Sequence, residues 1–143
     1  MDDTDKRLIN ALAADARASV STLARRLGLA RTTVQARIER LERSGVIAGY
    51  TVKLGAAARL DRIRATVLLQ FDPRKGPLVL QRLKTIPAVE AVHTSSGRFD
   101  MILQLATQNT AQLDETLDVI GAIDGVRSSE SLIHLSTKFD RSL

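Results

Sequence analysis

The chain has 143 residues, enough for one ordinary domain or two small ones, and 44% of them are hydrophobic, so buried cores are available. Only 3% are aromatic, with no Trp, which argues against the stacking platforms of single-stranded nucleic-acid binders; the absence of Cys excludes disulfides, thiolate metal sites and Cys nucleophiles. The net charge of +5 lies in the first 64 residues: nine basic and six acidic side chains in residues 1–50, four and one in 51–64, eight and nine in 65–143. A polyanion-binding N-terminal part and a C-terminal part with another task fit that division. No apolar run reaches the roughly 18 residues of a membrane span. The acidic, polar start (Met1-Asp2-Asp3-Thr4-Asp5) has no signal-peptide pattern, so a cytosolic protein without membrane contact is expected.

Thr4 to Ala14 reads as a first helix, capped by Thr4, with Asp5 in its first turn and Leu8, Ile9, Leu12 and Ala13 inward. Ser19 is a cap for a second helix with Leu23, Ala24 and Leu27 inward. Residues 20–43 then read as two short helices joined by a tight turn. Ala24 is small where a crossing helix must come close. Gly28, four residues on, supplies the positive φ of a sharp turn, and Val34, six further, points back to lock the crossing. That spacing is the pattern of a helix-turn-helix reader of double-stranded DNA.

The second helix of the pair, about Arg31 to Ser44, buries Val34, Ile38 and Leu41. Arg31, Thr32, Thr33, Gln35, Arg37, Arg40 and Arg43 fall outside that stripe. Arg and Gln can bond bidentately to base edges, and Thr can meet bases or phosphates. Arg31, Thr32, Thr33, Gln35 and Arg37 are therefore assigned to the major groove, and Arg26, Arg40 and Arg43 to phosphates.

Ser44-Gly45 ends the reading helix, and Val46 to Val52 reads as extended structure, either a short wing strand beside the DNA or a hinge strand. Lys53 to Asp61 is the weakest stretch for pattern and reads as a linker with a helical turn. Ile63, Ala65, Val67, Leu69 and Phe71 alternate with Arg64, Thr66, Leu68, Gln70 and Asp72, a strand. Asp72 to Pro77 is a turn. A helix with Val79, Leu80, Leu83 and Ile86 inward follows and is stopped by Pro87. Ala88 to Ser95 and Asp100 to Ala106 form a hairpin about Ser96-Gly97-Arg98-Phe99. Asn109 or Thr110 caps a helix with Leu113, Leu117, Ile120 and Ile123 inward, Val126 to Leu135 is a last strand, and Ser136 to Leu143 a polar tail.

The fold class expected is α+β. A helix-turn-helix, winged-helix-like domain spans residues 1–50, a linker 51–61, and a ferredoxin-like βαββαβ domain 62–143, with both helices on one face of a four-stranded sheet. The other face needs a partner, and Leu68, Leu103 and Leu105, or their neighbours in the opposite phase, are the expected self-association surface. No catalytic or metal site is expected. His93 and His134 lack metal-ligand spacing, and no phosphate loop or nucleophile elbow is present.

Read together, Asp5-Lys6-Arg7-Leu8-Ile9, Asp15-Ala16-Arg17, Leu23-Ala24, Gly28-Leu29, Val34-Gln35-Ala36-Arg37-Ile38, Leu41-Glu42, Gly45 to Tyr50, Val89 to His93 and Ser96-Gly97-Arg98-Phe99-Asp100 resemble the Lrp/AsnC (feast/famine) regulators over almost the whole chain. The resemblance implies a prokaryotic, cytoplasmic, nucleoid-associated transcription regulator. It further implies dimers formed through the C-terminal sheets, assembly of dimers into octamers, and an amino acid or related small-molecule effector as the one bound group. Carried onto this chain, the effector falls at Ser95, Ser96, Gly97, Arg98 and Asp100, with Ser129 and Ser131 nearby. The chemistry suits an amino acid: backbone N–H groups at a Gly turn hold a carboxylate, and Asp100 pairs with an ammonium. The chain departs from the family at Ala30, where Ser usually caps the reading helix, at Ser129 and Ser131, where Thr is common, and at Arg98. The last two point to a more acidic ligand or none. Two other readings share the architecture: a relative of the sirohaem decarboxylases using His93 and His134, and a DNA-architectural protein of low sequence choice.

Overall fold

The computed structural model describes residues 1–59 and 62–142, and they divide into two compact units, one built of residues 1–53 with 141 and 142, the other of the described residues within 54–140. The first unit holds helices α1 (Asp3–Ala14), α2 (Val20–Leu27) and α3 (Arg31–Arg43). The cap of α1 is Asp2 rather than Thr4. Asp2 sits in extended backbone and accepts the Asp5 N–H at 2.8 Å, and Asp5 accepts the Asp2 N–H at 3.1 Å, a capping box. One consequence is that Asp5, not Ala13, takes an inward position of α1: Asp5 is buried and Ala13 exposed. Ser19 caps α2, and Gly28 ends it at φ +69°, where the Leu29 N–H returns to the Ala24 carbonyl at 2.9 Å. The start of α3 at Ala30 has no side-chain cap. Leu8, Leu12, Leu23, Ala24, Val34 and Leu41 close the core of the unit, with Ile9, Leu27, Ile38 and Ile47 around it.

Val46 to Val52 forms no strand. Gly45, at φ +77°, turns the chain back so that the Ile47 N–H bonds the Leu41 carbonyl at 3.0 Å and Ile47 packs on the helical core. The Tyr50 hydroxyl donates to Glu42 at 2.7 Å. Those bonds to α3 hold the segment where a ladder would otherwise be needed, and no strand of this unit runs alongside it.

The second unit opens with the short helix α4 (Ala56–Arg59), inside the expected linker; Leu60 and Asp61 of that linker, and Leu143 of the tail, lie outside the described residues. Strands β1 (Ile63–Phe71), β2 (Val89–Thr94), β3 (Met101–Thr107) and β4 (Val126–Ile133) form one antiparallel sheet in the order β2-β3-β1-β4. Helices α5 (Gly76–Leu83) and α6 (Thr110–Gly121) cover one face. A 3-10 turn, Pro73–Lys75, leads into α5, which ends at Leu83, before Pro87 is reached. Under the helices lie Ala65, Val67, Leu69 and Phe71 of β1 and Met101, Leu103 and Leu105 of β3, with Val79, Leu83, Leu113 and Ile120 above them. Leu103 and Leu105 therefore belong to the helix-covered core rather than to an open surface, and the open face is the opposite phase. That open face carries Leu68, Ile102 and Leu132 among Thr66, Gln70 and Gln104.

Gly125 shows how tightly the β4 entry is built. It lies at φ +99°, its carbonyl accepts the Asp72 N–H at 2.8 Å, and a Cβ there would stand 2.5 Å from Lys75 Cβ and 2.9 Å from Cγ. Lys75 Cβ is fixed to backbone and cannot swing away. Gly125→Ala is expected to destabilise this unit by about 2–4 kcal/mol. A denaturant midpoint within error of the parent would show that the turn relaxes freely.

Candidate nucleic-acid interface and hairpin-turn site

Successive residues of α3 are 100° apart, so its inward stripe fixes what faces out. With Val34, Ile38 and Leu41 inward, Thr32, Ala36 and Arg43 lie opposite them and Arg40 close by. Arg31 and Gln35 fall on one flank, Thr33 and Arg37 on the other. Thr32, Thr33, Ala36, Arg37 and Arg40 line an open cleft of about 460 Å³. Ala36 was not singled out from its type, yet it sits at the centre of this face, where a small side chain lets a duplex approach and can touch a thymine methyl. Its spacing of four from Thr32 was the available signal.

The flank of Arg37 is tied to the N-terminus. Arg37 Nη1 donates to Asp2 at 2.8 and 3.0 Å and to Asp5 at 2.8 Å, and its side chain is only 23% exposed. Arg40 Nη2 donates to both oxygens of Asp5, at 2.8 and 2.9 Å. The Asp5 side chain is 1% exposed, so its charge is satisfied by two guanidinium groups and the Asp2 N–H rather than by water. Asp2 and Asp5, absent from the sequence-derived site, thus decide how two of its arginines are held. The signal was Asp2 three residues before Asp5 at a helix start.

These contacts move the acid range of stability. The Arg37 guanidinium, then the Asp5 N–H, bring the Asp2 carboxyl down from its usual 3.8 to about 2. Arg37 likewise lowers Asp5 against the opposing effect of burial. A carboxyl whose pKa is depressed by folding stabilises the fold above its unfolded pKa and stops doing so as pH falls through the folded one. The melting temperature of the helical unit is therefore expected to drop as pH goes from about 4 to about 2, and Asp2→Asn to shrink that drop. An identical acid profile for the variant, read by circular dichroism, would contradict the assignment.

The other proposed DNA contacts are placed differently. Arg26, at the end of α2, and Arg31 and Arg43 on α3 are exposed and make no ion pair among the described residues. Thr32 is exposed and Thr33 half-buried. Gln35 Nε2 donates to Glu39 Oε1 at 2.8 Å.

The β2–β3 turn carries the second candidate set. Gly97 takes φ +104° at its tip, and the Ser95 N–H bonds the Asp100 carbonyl at 3.0 Å. Ser95 Oγ donates to the Ser96 carbonyl at 3.0 Å. The turn is anchored on β1: Asp100 N–H donates to the Leu69 carbonyl at 2.7 Å, and Asp100 Oδ2 accepts the Phe71 N–H at 3.0 Å. Gln70 Nε2 donates to the Arg98 carbonyl, while Gln70 Oε1 accepts from Ser128 Oγ at 2.8 Å. Arg98 lies 5.0 Å over the Phe99 ring and 3.6 Å from Glu130. Arg98, Gln70, Ser128 and Glu130 thus meet on the open face of the sheet. Ser129 and Ser131, opposite Leu69 and Val67, alternate to the face bearing the helices. Gln70, Ser128 and Glu130 were not selected from the sequence, because cross-strand neighbours are not visible in it. His93 and His134 lie on the two edge strands or just past them; His134 Nε2 is 2.8 Å from Thr66 Oγ1. Two full strands, β3 and β1, separate them, about 14 Å at the usual strand spacing. Among the described residues no group of three His, Asp or Glu side chains is gathered for a metal.

Comparison with known proteins gives two domain matches: an AsnC-type helix-turn-helix domain over residues 1–42 and a Lrp/AsnC ligand binding domain over residues 64–143. The chain is 32% identical to the HTH-type transcriptional regulator FL11 of Pyrococcus furiosus, over 94% of this chain and 89% of that one. A feast or famine regulatory protein from M. tuberculosis, solved in complex with L-methionine, superposes with a TM-score of 0.86 at 33% identity, covering 99% of this chain and 97% of that one. The E. coli AsnC structure shares the fold with a TM-score of 0.88 at 21% identity, over 100% and 97% of the two chains.

Proposed function

Because this chain belongs to the Lrp/AsnC family of helix-turn-helix transcriptional regulators, we propose how its residues divide the work of a DNA-binding, amino-acid-responsive regulator. Arg31, Thr32, Thr33 and Gln35 read bases, and Arg26, Arg40 and Arg43 meet phosphates. The observation that carries this division is that, among the described residues, Arg26, Arg31 and Arg43 are exposed and make no ion pair, beside an Arg37 already engaged by Asp2 and Asp5. A guanidinium without an internal partner is available to DNA at no cost in broken ion pairs. One held by two carboxylates serves first to set the angle of α3, and Arg37 takes that role here; Arg40 is paired to Asp5 through one nitrogen only and is 57% exposed, so its remaining N–H groups are the ones assigned to a phosphate.

The effector proposed is an amino acid at the hairpin turn. Gly97 and Arg98 suit its carboxylate, and Asp100 or Glu130 its ammonium; the L-methionine complex of the M. tuberculosis relative supports that class. Self-association is assigned to the open sheet face with Leu68, Ile102 and Leu132, giving a dimer whose two reading helices meet half-sites about one helical turn apart, and dimers assembling into octamers. Among the described residues no helix is long and apolar enough to cross a membrane, and a prokaryotic nucleoid is the proposed place of action. The AsnC-type helix-turn-helix match and the regulator relatives favour this reading over tetrapyrrole chemistry.

The experiment is a gel-shift on the protein's own upstream region against random DNA of equal length, at fixed physiological salt, with and without each amino acid. Preferential binding altered by one amino acid is expected. Preferential binding indifferent to all of them would remove the hairpin site and leave the regulator. Equal binding to both DNAs would favour the architectural reading.

A further inference from the structure

On the outward side of α3, Thr32, Gln35, Ala36 and Glu39 recur at intervals of three, four and seven residues, a stripe two turns long. Glu39 is its one acidic member. A carboxylate on a surface that approaches phosphates weakens binding to every sequence alike, unless it does something base-specific. Arg43 lies one turn further on, where an ordinary helix-surface ion pair would form, yet among the described residues Glu39 makes no ion pair. Instead its Oε1 accepts from Gln35 Nε2 at 2.8 Å. That bond orients the amide. Gln35 keeps its carbonyl oxygen and one N–H for an outside partner, and Glu39 keeps its second oxygen as an acceptor. In the major groove a carboxylate accepts from the cytosine amino group, and an oriented glutamine amide matches the adenine edge.

Resting on the DNA-reading function proposed above, we infer that Glu39 is a specificity-determining residue: it takes the amino group of a cytosine and holds Gln35 in one amide orientation for the neighbouring base pair. The alternative is a solvated helix pair whose charge merely weakens all DNA binding.

The test is selection from a randomised duplex pool at fixed salt with the full chain, comparing the parent with Glu39→Gln, Glu39→Asp and Gln35→Ala, each checked for unchanged helicity and melting. The parent should enrich a motif with cytosine at a defined position. Glu39→Gln should lose that preference on the order of 10-fold and blur the adjacent position. Glu39→Asp keeps the charge but shortens the reach, and should lose the cytosine as well. Gln35→Ala should blur the adjacent position and keep the cytosine. If Glu39→Gln keeps the parental motif while binding all DNA more tightly, Glu39 is only a surface charge, and DNA reading by α3 stands. If the parent enriches no motif, the reading function falls and this assignment with it.

Discussion

Arg31→Ala is expected to lower affinity for a cognate operator about 10- to 100-fold and affinity for random DNA far less, with selectivity relaxed at one base position. The expectation follows from where Arg31 stands. It is the first residue of α3, exposed and without an ion-pair partner among the described residues, and helix-turn-helix readers place the N-terminal residues of this helix against base edges. Arg43 is equally exposed, but it lies in the last turn, away from the N-terminal residues that helix-turn-helix readers place on base edges. Arg43→Ala should weaken operator and random DNA by similar factors and reduce the slope of log affinity against log salt by about 0.9. Fluorescence anisotropy on both duplexes at several salt concentrations measures all of this. Equal losses on operator and random DNA for both variants would sink the division between base reading and phosphate contact.

The second large effect concerns a residue buried inside the helical unit. Asp5→Ala leaves Arg37 and Arg40 without the buried carboxylate that joins them, and it removes half of the capping box at the start of α1. Arg37 keeps Asp2 and Arg40 is 57% exposed, so what is lost is the buried carboxylate's own charge-assisted bonds, about 1.5–3 kcal/mol each, together with its part of the cap. The helical unit is expected to lose on the order of 10 °C or more in melting temperature, while the sheet unit melts as before. DNA binding should fall on operator and random duplex together, because the angle of α3 is lost rather than one base contact. A variant that melts like the parent and loses only operator binding would show that Asp5 acts on recognition directly.

The architecture was legible in the sequence because hydrophobic period is a local property. The alternation from Ile63 to Phe71 gave β1, and Val34, Ile38 and Leu41 gave the inward side of α3, with no knowledge of what lies against either. Ala24, Gly28 and Val34 announced the helix crossing because two close helices need a small residue, a left-handed turn and an apolar lock, whatever surrounds them. The resemblance to the Lrp/AsnC regulators added the expectation of an effector at the hairpin turn. Within β3, however, Met101, Leu103 and Leu105 alternate with Ile102, Gln104 and Ala106, so both phases hold apolar residues. Period alone could not say which of them the helices cover; the pairing with β1 decided it, and Leu103 and Leu105 went under the helices.

The site was legible as residue types and not as roles. Arg31 and Arg37 look alike in sequence, two arginines on one basic helix. What separates them is a pair of carboxylates 35 and 32 residues away, Asp2 and Asp5, which fold back onto Arg37 and leave Arg31 to solvent. In the same way Arg98 meets Glu130, and Ser128 meets Gln70, only because β1 brings the hairpin turn and β4 to its two sides. Period and turn chemistry act through neighbours along the chain, so the sequence by itself determined the elements and their inward faces. Ion pairs and cross-strand contacts act through space and fall off within a few ångströms. Only the tertiary structure, by bringing distant residues to that range, decided which charges are spent inside the molecule and which stay exposed.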